Sequence, residues 1–106
     1  MYIQTYDVPN LFEWDERKSD DNLRERGFDF EFATQIFDEA TLEREDTRWD
    51  YGERRIVAIG AAGDVLVTVV YTDRAEADGS LLRRIISARV SNRHERKAYV
   101  EAVSQD

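Results

Sequence analysis

The sequence predicts a single α+β domain with two N-terminal helices, an antiparallel sheet and a C-terminal helix. A chain of 106 residues is long enough for one modest core. Its apolar residues recur first at the spacing of helices and, beyond residue 40, at the alternating spacing of strands. We therefore expect the order β-α-α-β-β-β-β-α over residues 1–106, with residues 1–10 as an N-terminal extension.

The two N-terminal helices are predicted from their capping residues. A short apolar segment, Leu11–Trp14, leads to Asp15, whose side chain is suited to cap a helix. That helix is expected to end near Arg26, before Gly27. Asp29 is suited to cap the second helix. The apolar residues of that helix fall on one stripe and are assigned to the core: Phe30, Ala33, Ile36 and Phe37.

Strands dominate the second half of the chain. Short turns at 62–64 and 77–79 join three consecutive strands, which indicates an antiparallel meander. The segment 65–71 is apolar at nearly every position, as expected of a strand buried on both faces at the centre of a sheet. The predicted strands cover residues 41–45, 55–61, 65–73 and 81–90, with a turn at 49–53.

A last helix is predicted after residue 91. Asn92 and Glu95 stand three residues apart, in the pattern of a capping box at a helix N-terminus. The apolar or aromatic residues Tyr99, Val100 and Val103 of this helix are expected to face the sheet.

Charge is distributed unevenly along the chain. The formal net charge is −8, and residues 1–53 hold sixteen acidic and six basic side chains. Residues 83–97 hold six basic side chains and one acidic side chain. Because phosphate binding needs positive surface, this basic segment is the candidate for contact with nucleic acid. A solvated basic helix face explains the same excess, and low lysine content beside abundant acids is also typical of salt adaptation.

Composition excludes several classes of chemistry. There is no cysteine, so disulfides, thiolate nucleophiles and cysteine-based zinc sites are excluded; the single histidine, His94, excludes paired histidine ligands. Gly60 and Gly63 fall between two strands, whereas a nucleotide phosphate needs a following helix start. We expect no metal and no cofactor. With no long apolar stretch and no secretory signal, we expect a cytoplasmic protein without membrane contact.

Arginine is the remaining side chain suited to phosphate, because its planar guanidinium can bond two oxygens at once. Strand alternation predicts Arg83 and Arg89 on one face of the last strand and Arg84 on the other, unless a bulge intervenes. The face of Arg84 is the more apolar and should meet the helices, so Arg84 is expected at its edge or in a structural ion pair. The arginines of the basic segment are Arg83, Arg84, Arg89, Arg93 and Arg96.

Many residues of this chain stand in an order and spacing that follow a family pattern. The N-terminal part of the resemblance is carried by Phe12-Glu13-Trp14-Asp15, Lys18, Asn22-Leu23, Gly27, Phe30 and Phe37-Asp38. The C-terminal part is carried by Gly52-Glu53, Arg55, Ile59-Gly60, Tyr71-Thr72, the run 84–89, Arg93, Glu95, Arg96 and Tyr99. In this order and spacing the chain resembles the BrnT-type toxins. The resemblance covers about residues 11–101, and the run 84–89 with the Glu-Arg pair after it is its most specific part.

This resemblance implies a RelE-like fold and a metal-independent endoribonuclease that cleaves RNA, inhibits translation and arrests growth. It also implies neutralisation by a BrnA-like ribbon-helix-helix antitoxin, with operator DNA contacted only through the toxin-antitoxin complex. In such a reaction the neighbouring ribose 2′-hydroxyl is the nucleophile. The protein then has to position the RNA, stabilise charge and transfer protons, and an arginine-rich site suits these needs.

The site residues carried over from the resemblance are Lys18, Arg55, Arg84, Arg89 and Arg93, with Tyr99 as a weaker candidate. We expect Arg89 and Arg93 to hold phosphate. Lys18 or Arg55 would stabilise developing charge, and Glu53 is a candidate proton acceptor.

One departure from the family pattern favours a second hypothesis. Where family members commonly carry a Lys-His pair before the glycine, this chain has Glu25-Arg26, which removes an imidazole with a near-neutral pKa. The alternative is therefore a catalytically weak or inactive toxin homologue that binds its antitoxin and acts in operon autoregulation. An unrelated small α+β domain is a third alternative.

Overall fold

A six-stranded mixed sheet forms the centre of the computed structural model, which describes residues 1–4 and 11–104. The strands are β1 (Tyr2–Gln4), β2 (Leu11–Trp14), β3 (Thr41–Glu45), β4 (Ile56–Ala62), β5 (Val65–Ala75) and β6 (Leu81–Val90). The helices are α1 (Glu16–Arg26), α2 (Phe30–Ala33) and α3 (Arg93–Val103), and a 3₁₀ helix, Thr34–Asp38, follows α2. The strand order across the sheet is β1-β3-β4-β5-β6-β2. The fold class is α+β, as predicted.

The meander β4-β5-β6 is antiparallel and places β5 between two neighbours, as its apolar sequence predicted. Gly63 opens the turn between β4 and β5 with a positive φ of 59°, a conformation that suits glycine. The prediction of an entirely antiparallel sheet is wrong, because β2 pairs in parallel with β6, with Leu11 opposite Leu82. The chain reaches β6 from β2 only after the helices and three further strands, a connection long enough for a parallel pair.

The N-terminal segment 1–10 was expected to be an extension, and part of it belongs to the sheet. Strand β1 pairs with β3 at one edge, with Ile3 opposite Leu42. Residues 5–10 lie outside the described residues. The observed order therefore begins with two strands before α1 rather than one.

Helix α1 begins and ends as predicted. Asp15 Oδ1 accepts the N–H of Arg17 at 2.9 Å, and Gly27, with φ 87°, ends the helix in the left-handed conformation. The second helix differs from the prediction, because α2 lasts four residues and the chain tightens into the 3₁₀ helix. This segment packs closely on β4: a Cβ added at Gly60 would lie 2.8 Å from Cβ of Ile36.

The sheet has two differently covered faces. Helices α1, α2 and the 3₁₀ helix cover one, here called the helical face, and α3 lies over β3 and β4 on the other, here called the α3 face. The main core fills the helical face and includes the predicted stripe. Its members include Phe30, Ala33, Ile36, Phe37, Val67, Val69, Tyr71 and Ile85.

The orientation of α3 departs from the prediction. Val100 and Val103 were expected to face the sheet, but they are 53% and 38% exposed. The partly buried stripe consists of Glu95, Ala98, Tyr99 and Ala102. Because Glu95 is bound to Arg89 of β6, the helix is rotated so that positions 100 and 103 point outward.

Candidate functional site

An extra residue in β6 changes the alternation of side chains along this strand. Val70 of β5 lies opposite Ser87, but the next residue, Tyr71, lies opposite Ile85. Ile86 therefore has no partner on β5 and forms a β-bulge. On the two sides of Ile86, the residues of β6 that point to a given face of the sheet therefore differ by one position from a regular alternation.

The bulge places Arg84 and Arg89 on the same face of the sheet. Arg84 lies opposite Thr72 of β5. Arg89 lies opposite Thr68, four residues earlier in β5 and therefore on the same side of that strand. This is the α3 face, since Arg89 binds Glu95 of α3. The prediction that Arg83 and Arg89 share a face is wrong, because it applied one alternation to the whole of β6.

Arg83 is a buried structural residue on the helical face. Its side chain is 0% exposed, and Nε and Nη2 donate to the two carboxylate oxygens of Asp73, each at 2.7 Å. The guanidinium carbon lies 3.9 Å from the ring centroid of Tyr71 and 4.7 Å from that of Phe37. Burial acts to lower the pKa of Arg83, but the bonds to Asp73 outweigh it and raise that pKa. Arg83 therefore makes a buried ion pair that the sequence did not predict, while Arg84, as expected, pairs with an acid, Glu13.

Arg84 lines a cleft on the α3 face. Its Nη1 lies 3.3 Å from Oε1 of Glu13, and both side chains are partly exposed. The cleft has a volume of about 250 Å³ and is also lined by Glu53, Thr72 and Arg74. Positive and negative groups thus meet in one accessible depression, where a phosphate and a proton acceptor can be accommodated side by side.

The loop 46–55 brings further charged groups to this region. Arg55 lies over the ring of Tyr51, 4.1 Å from its centroid, and its Nε donates to Oε2 of Glu53 at 3.0 Å. The hydroxyl of Thr72 donates to the carbonyl of Arg54 at 2.7 Å, which ties the loop to β5 beside the cleft. Arg55 is therefore connected to the cleft of Arg84 through Glu53.

Arg48, in the same loop, was missed by sequence reasoning. Its Nε and Nη2 donate to the two oxygens of buried Asp46, each at 2.9 Å, and the Tyr51 hydroxyl donates to Asp46 at 3.1 Å. Hydrogen bonds from Arg48 hold the pKa of Asp46 well below its usual range. The positive charge of Arg48 also acts to lower the pKa of Arg89. No motif marked Arg48, because its pairing with buried Asp46 forms only in the folded loop.

Arg89 and Arg93 lie where β6 meets α3. Arg89 makes two hydrogen bonds to Glu95, and these bonds raise the pKa of Arg89. Arg93 is the first residue of α3 and is exposed, without a hydrogen bond or ion pair from its side chain to the described part of the chain. Asn92 caps the helix by accepting the N–H of Glu95 at 2.9 Å, which confirms the predicted capping box. Arg93 is thus held at a defined position with its guanidinium accessible.

Lys18 and Tyr99 lie apart from these arginines. Lys18 is exposed on α1 beside the edge of β6, in a shallow pocket that Glu25, Arg26, Ile86 and Ser87 also line. The Tyr99 hydroxyl, on the inner side of α3, donates to the carbonyl of Ala40 at 3.4 Å. Burial raises the pKa of Tyr99, so its hydroxyl stays protonated at neutral pH.

Arg26, at the position of the family departure, has a structural contact. Its Nη1 donates to the carbonyl of Ala88 at 2.8 Å and lies 3.1 Å from Oδ1 of Asn22. Strand β2 pairs with β6 only as far as Ile85, so Arg26 covers a backbone acceptor at the free edge beyond it.

Metal-binding clusters and membrane-spanning helices are absent from residues 1–4 and 11–104. This part of the chain contains no group of three or more His, Asp or Glu side chains arranged to hold a metal ion. None of its helices has the length and apolar content that crossing a bilayer requires.

A family model described as "Ribonuclease toxin, BrnT, of type II toxin-antitoxin system" matches residues 14–95. The matched range begins at Trp14, the last residue of β2, and ends at Glu95, the partner of Arg89. It therefore includes the bulge in β6, the loop 46–55 and the residues that line the cleft of Arg84, except Glu13. The comparison with curated proteins finds no match.

Proposed function

Since the chain belongs to the BrnT family of ribonuclease toxins of type II toxin-antitoxin systems, we propose that it is a metal-independent endoribonuclease that binds RNA on its α3 face. The observation that carries this proposal is the bulge at Ile86, which puts Arg84 and Arg89 on one accessible face. Arg55 and Arg93 flank them. Fixed guanidinium groups suit the phosphates of RNA because each can bond two oxygens of one phosphate.

The reaction that we propose is attack by a ribose 2′-hydroxyl on the adjacent phosphorus. A carboxylate takes the proton of the 2′-hydroxyl, the new O–P bond forms, and the bond to the 5′ oxygen breaks. That oxygen takes up a proton from water and the carboxylic acid returns its proton to solvent, so the products are a 2′,3′-cyclic phosphate and a 5′-hydroxyl. Glu13 and Glu53 are the candidate proton acceptors, because both line the cleft of Arg84.

Positive charge for this reaction would come from the arginines themselves. Arg84 lies in the same cleft as both carboxylates and would stabilise the charge that develops on the phosphate oxygens. Arg89 and Arg93 would hold neighbouring phosphates. We propose that Lys18 makes a further contact with RNA at the edge of β6. Tyr99 is proposed only to support α3, since its hydroxyl is turned toward Ala40.

A type II toxin-antitoxin family implies a protein antitoxin as the partner. We propose that this partner is a BrnA-like ribbon-helix-helix protein and that operator DNA is contacted only through the complex. The toxin would act in the cytoplasm, where RNA cleavage inhibits translation and growth. We also propose that its fold is RelE-like, a relation that the sheet with helices on both faces supports.

The test is induced expression of the chain without its antitoxin. Wild type is expected to slow growth and to produce RNA fragments with cyclic phosphate ends, also when purified protein cleaves RNA in EDTA. Arg89→Ala should lose most of this activity. Arg24→Ala, which removes an exposed arginine on α1, is the matched control and should keep it. Growth and RNA that are unaffected by wild type contradict the proposal.

A second function is favoured by one specific observation. Arg55, Arg84 and Arg89 each lie within 3.3 Å of a carboxylate of their own chain, so part of the site is already neutralised. Together with the Glu25-Arg26 departure, this favours a weak or inactive homologue that binds its antitoxin and represses the operon. In that case the purified complex should shift operator DNA, while the free chain leaves RNA intact.

A further inference from the structure

An apolar groove lies away from the charged cleft, at the other ends of β5 and β6. It has a volume of about 420 Å³, and its apolar lining is provided by Leu23, Phe28, Phe32, Val65 and Val90. These residues come from α1, the α1–α2 connection, α2 and both strands. Leu23, Val65 and Val90 are 50%, 39% and 49% exposed. Single exposed apolar residues are ordinary, but several that converge from separate elements indicate a binding surface.

The groove is held in shape by polar contacts below it. Asn22 Nδ2 donates to the carbonyl of Phe28 at 2.9 Å, and the N–H of Phe30 donates to Oγ of Ser19 at 2.9 Å. Both Ser19 and Asn22 are buried. The rings of Phe28 and Phe32 pack at 5.7 Å between centroids. A partner that enters this groove therefore meets a preformed surface and does not have to order it.

Acidic residues belong to the groove or stand next to its lining residues in the sequence. Asp29 is part of the lining, and three exposed acids, Glu25, Glu31 and Asp64, each directly precede a lining residue. The basic residue of the lining, Arg26, is turned to the carbonyl of Ala88 and to Asn22. An apolar groove between carboxylates repels RNA and suits an apolar segment flanked by lysine or arginine.

We propose that this groove is the docking site of the antitoxin and takes an amphipathic segment whose apolar side chains are flanked by basic residues. The inference rests on the proposed function, in which the antitoxin contacts operator DNA and therefore carries an excess of basic residues. An amphipathic helix in an apolar groove is a recurrent mode of protein recognition. Val90 of the groove directly follows Arg89 in β6, and neighbouring residues of a strand point to opposite faces, so the occupant would lie on the face opposite the RNA-binding face.

The test uses the full chain and the purified antitoxin from the same operon. Leu23→Asp and Val65→Asp place a charge at exposed groove positions, and each is expected to weaken the complex at least about tenfold. Val100→Asp is the matched control, because Val100 is equally exposed but lies on the outer side of α3. It should bind the antitoxin like wild type. Thermal unfolding of each variant checks that the fold is retained.

Three additional measurements, amide exchange, growth assays and light scattering, distinguish antitoxin docking in the groove from self-association of the chain and from indirect effects of the substitutions. Amide exchange in residues 23–32 of wild type should slow when the antitoxin is added, independently of any substitution. In growth assays, the groove variants should still arrest growth but escape neutralisation. Antitoxin binding that is unchanged in both aspartate variants overturns the proposal. So does a result in which light scattering shows loss of self-association alone, since a second copy then occupies the groove.

The proposed ribonuclease activity can fail without affecting this inference. If wild type cleaves no RNA, the affinities of the groove variants for the antitoxin still decide whether the groove is the docking site. Conversely, if RNA cleavage is found and the groove variants bind normally, only the docking site is wrong.

Discussion

Arg89 and Glu95 join β6 to α3 through two hydrogen bonds, Nη1 to Oε1 at 2.6 Å and Nη2 to Oε2 at 2.9 Å. Glu95 also accepts the N–H of Asn92 at 2.8 Å. The carboxylate occupies one edge of the guanidinium and leaves the Nε–H and the outer Nη hydrogens of Arg89 to bind another anion. The pair therefore orients Arg89 without consuming all of its donors.

The stability of this pair should depend on pH. Burial acts to raise the pKa of Glu95, but hydrogen bonds from Arg89 and Asn92 lower it overall. A carboxyl whose pKa is lower in the folded state contributes stability above its unfolded pKa of about 4.3 and loses that contribution as pH falls further. We expect Glu95→Gln to reduce the free energy of unfolding at pH 7 by about 1 kcal/mol and to reduce its decline below about pH 4.

Urea unfolding of wild type and Glu95→Gln at pH 7, 4 and 3 measures this effect. Glu101→Gln, which changes an exposed carboxylate on the same helix, is the control and should follow wild type. Equal acid sensitivity of wild type and Glu95→Gln contradicts the assignment.

Substitutions of Arg83 and Arg84 should have separate effects, the first on the stability of the fold and the second on RNA binding. Arg83→Met leaves Asp73 without its main partner and should cost about 3 kcal/mol of stability. Arg84→Ala should change stability by no more than about 0.5 kcal/mol, because its pair with Glu13 is exposed to solvent. It should instead weaken RNA binding and lower the dependence of that binding on salt. Urea unfolding and RNA titration at several salt concentrations check both outcomes, and the reverse pattern would falsify the face assignment.

Gly60 should not tolerate a side chain. A Cβ at this position would lie 2.8 Å from Cβ of Ile36 and 3.2 Å from its carbonyl oxygen. Since the neighbouring backbone cannot yield easily, we expect Gly60→Ala to cost about 1–3 kcal/mol. Ala61→Ser, at the adjacent half-buried position, should stay within about 0.5 kcal/mol of wild type. Thermal unfolding measures both, and equal melting temperatures would show that the 3₁₀ helix can move away from β4.

The hydroxyl of Tyr71 should be needed as a hydrogen-bond donor to the buried carboxyl group of Glu43. Its hydroxyl donates to Oε1 of Glu43 at 2.6 Å, and the hydroxyl of Thr41 donates to Oε2 at 2.7 Å. Burial and this hydrogen bond raise the pKa of Tyr71, so it remains a donor. Tyr71→Phe should cost about 1–3 kcal/mol, because a buried acceptor is left unpaired.

A double-mutant cycle tests this coupling. If Glu43→Gln and Tyr71→Phe are energetically additive, the two residues do not interact as the distance indicates. Tyr2→Phe is the control for loss of a hydroxyl, because Tyr2 is exposed on β1.

Local features of the fold could be predicted from the sequence. The caps at Asp15, Gly27 and Asn92 depend on a few neighbouring residues, and the apolar stripe of the second helix is repeated at a fixed spacing. The three-strand meander follows from short turns. These signals are contained in segments of about ten residues, which is why they could be recognised without knowledge of the rest.

Features that depend on contacts between distant parts of the chain could not be predicted from the sequence. The parallel pairing of β2 with β6 joins segments from opposite halves of the sequence, and no residue in either specifies its direction. The rotation of α3 follows from the Arg89–Glu95 pair rather than from its apolar residues. The pairing of Arg48 with buried Asp46 forms only in the folded loop. The sequence showed that residues 83–97 carry an excess of positive charge. It did not predict which face of the sheet each arginine occupies.

The bulge at Ile86 offsets the odd spacing of Arg84 and Arg89 in β6, so that both arginines lie on one face of the sheet. Arg84 and Arg89 are five positions apart, an odd number that would direct them to opposite faces of a regular strand. A relative with the same two arginines and no bulge would therefore present only one of them on the proposed RNA-binding surface. Conversely, a relative that lacks one residue here and also lacks the bulge would present both. Alignments of this chain with other toxins should therefore match arginines by the face that they occupy, since a shared position in the sequence does not ensure a shared side of the sheet.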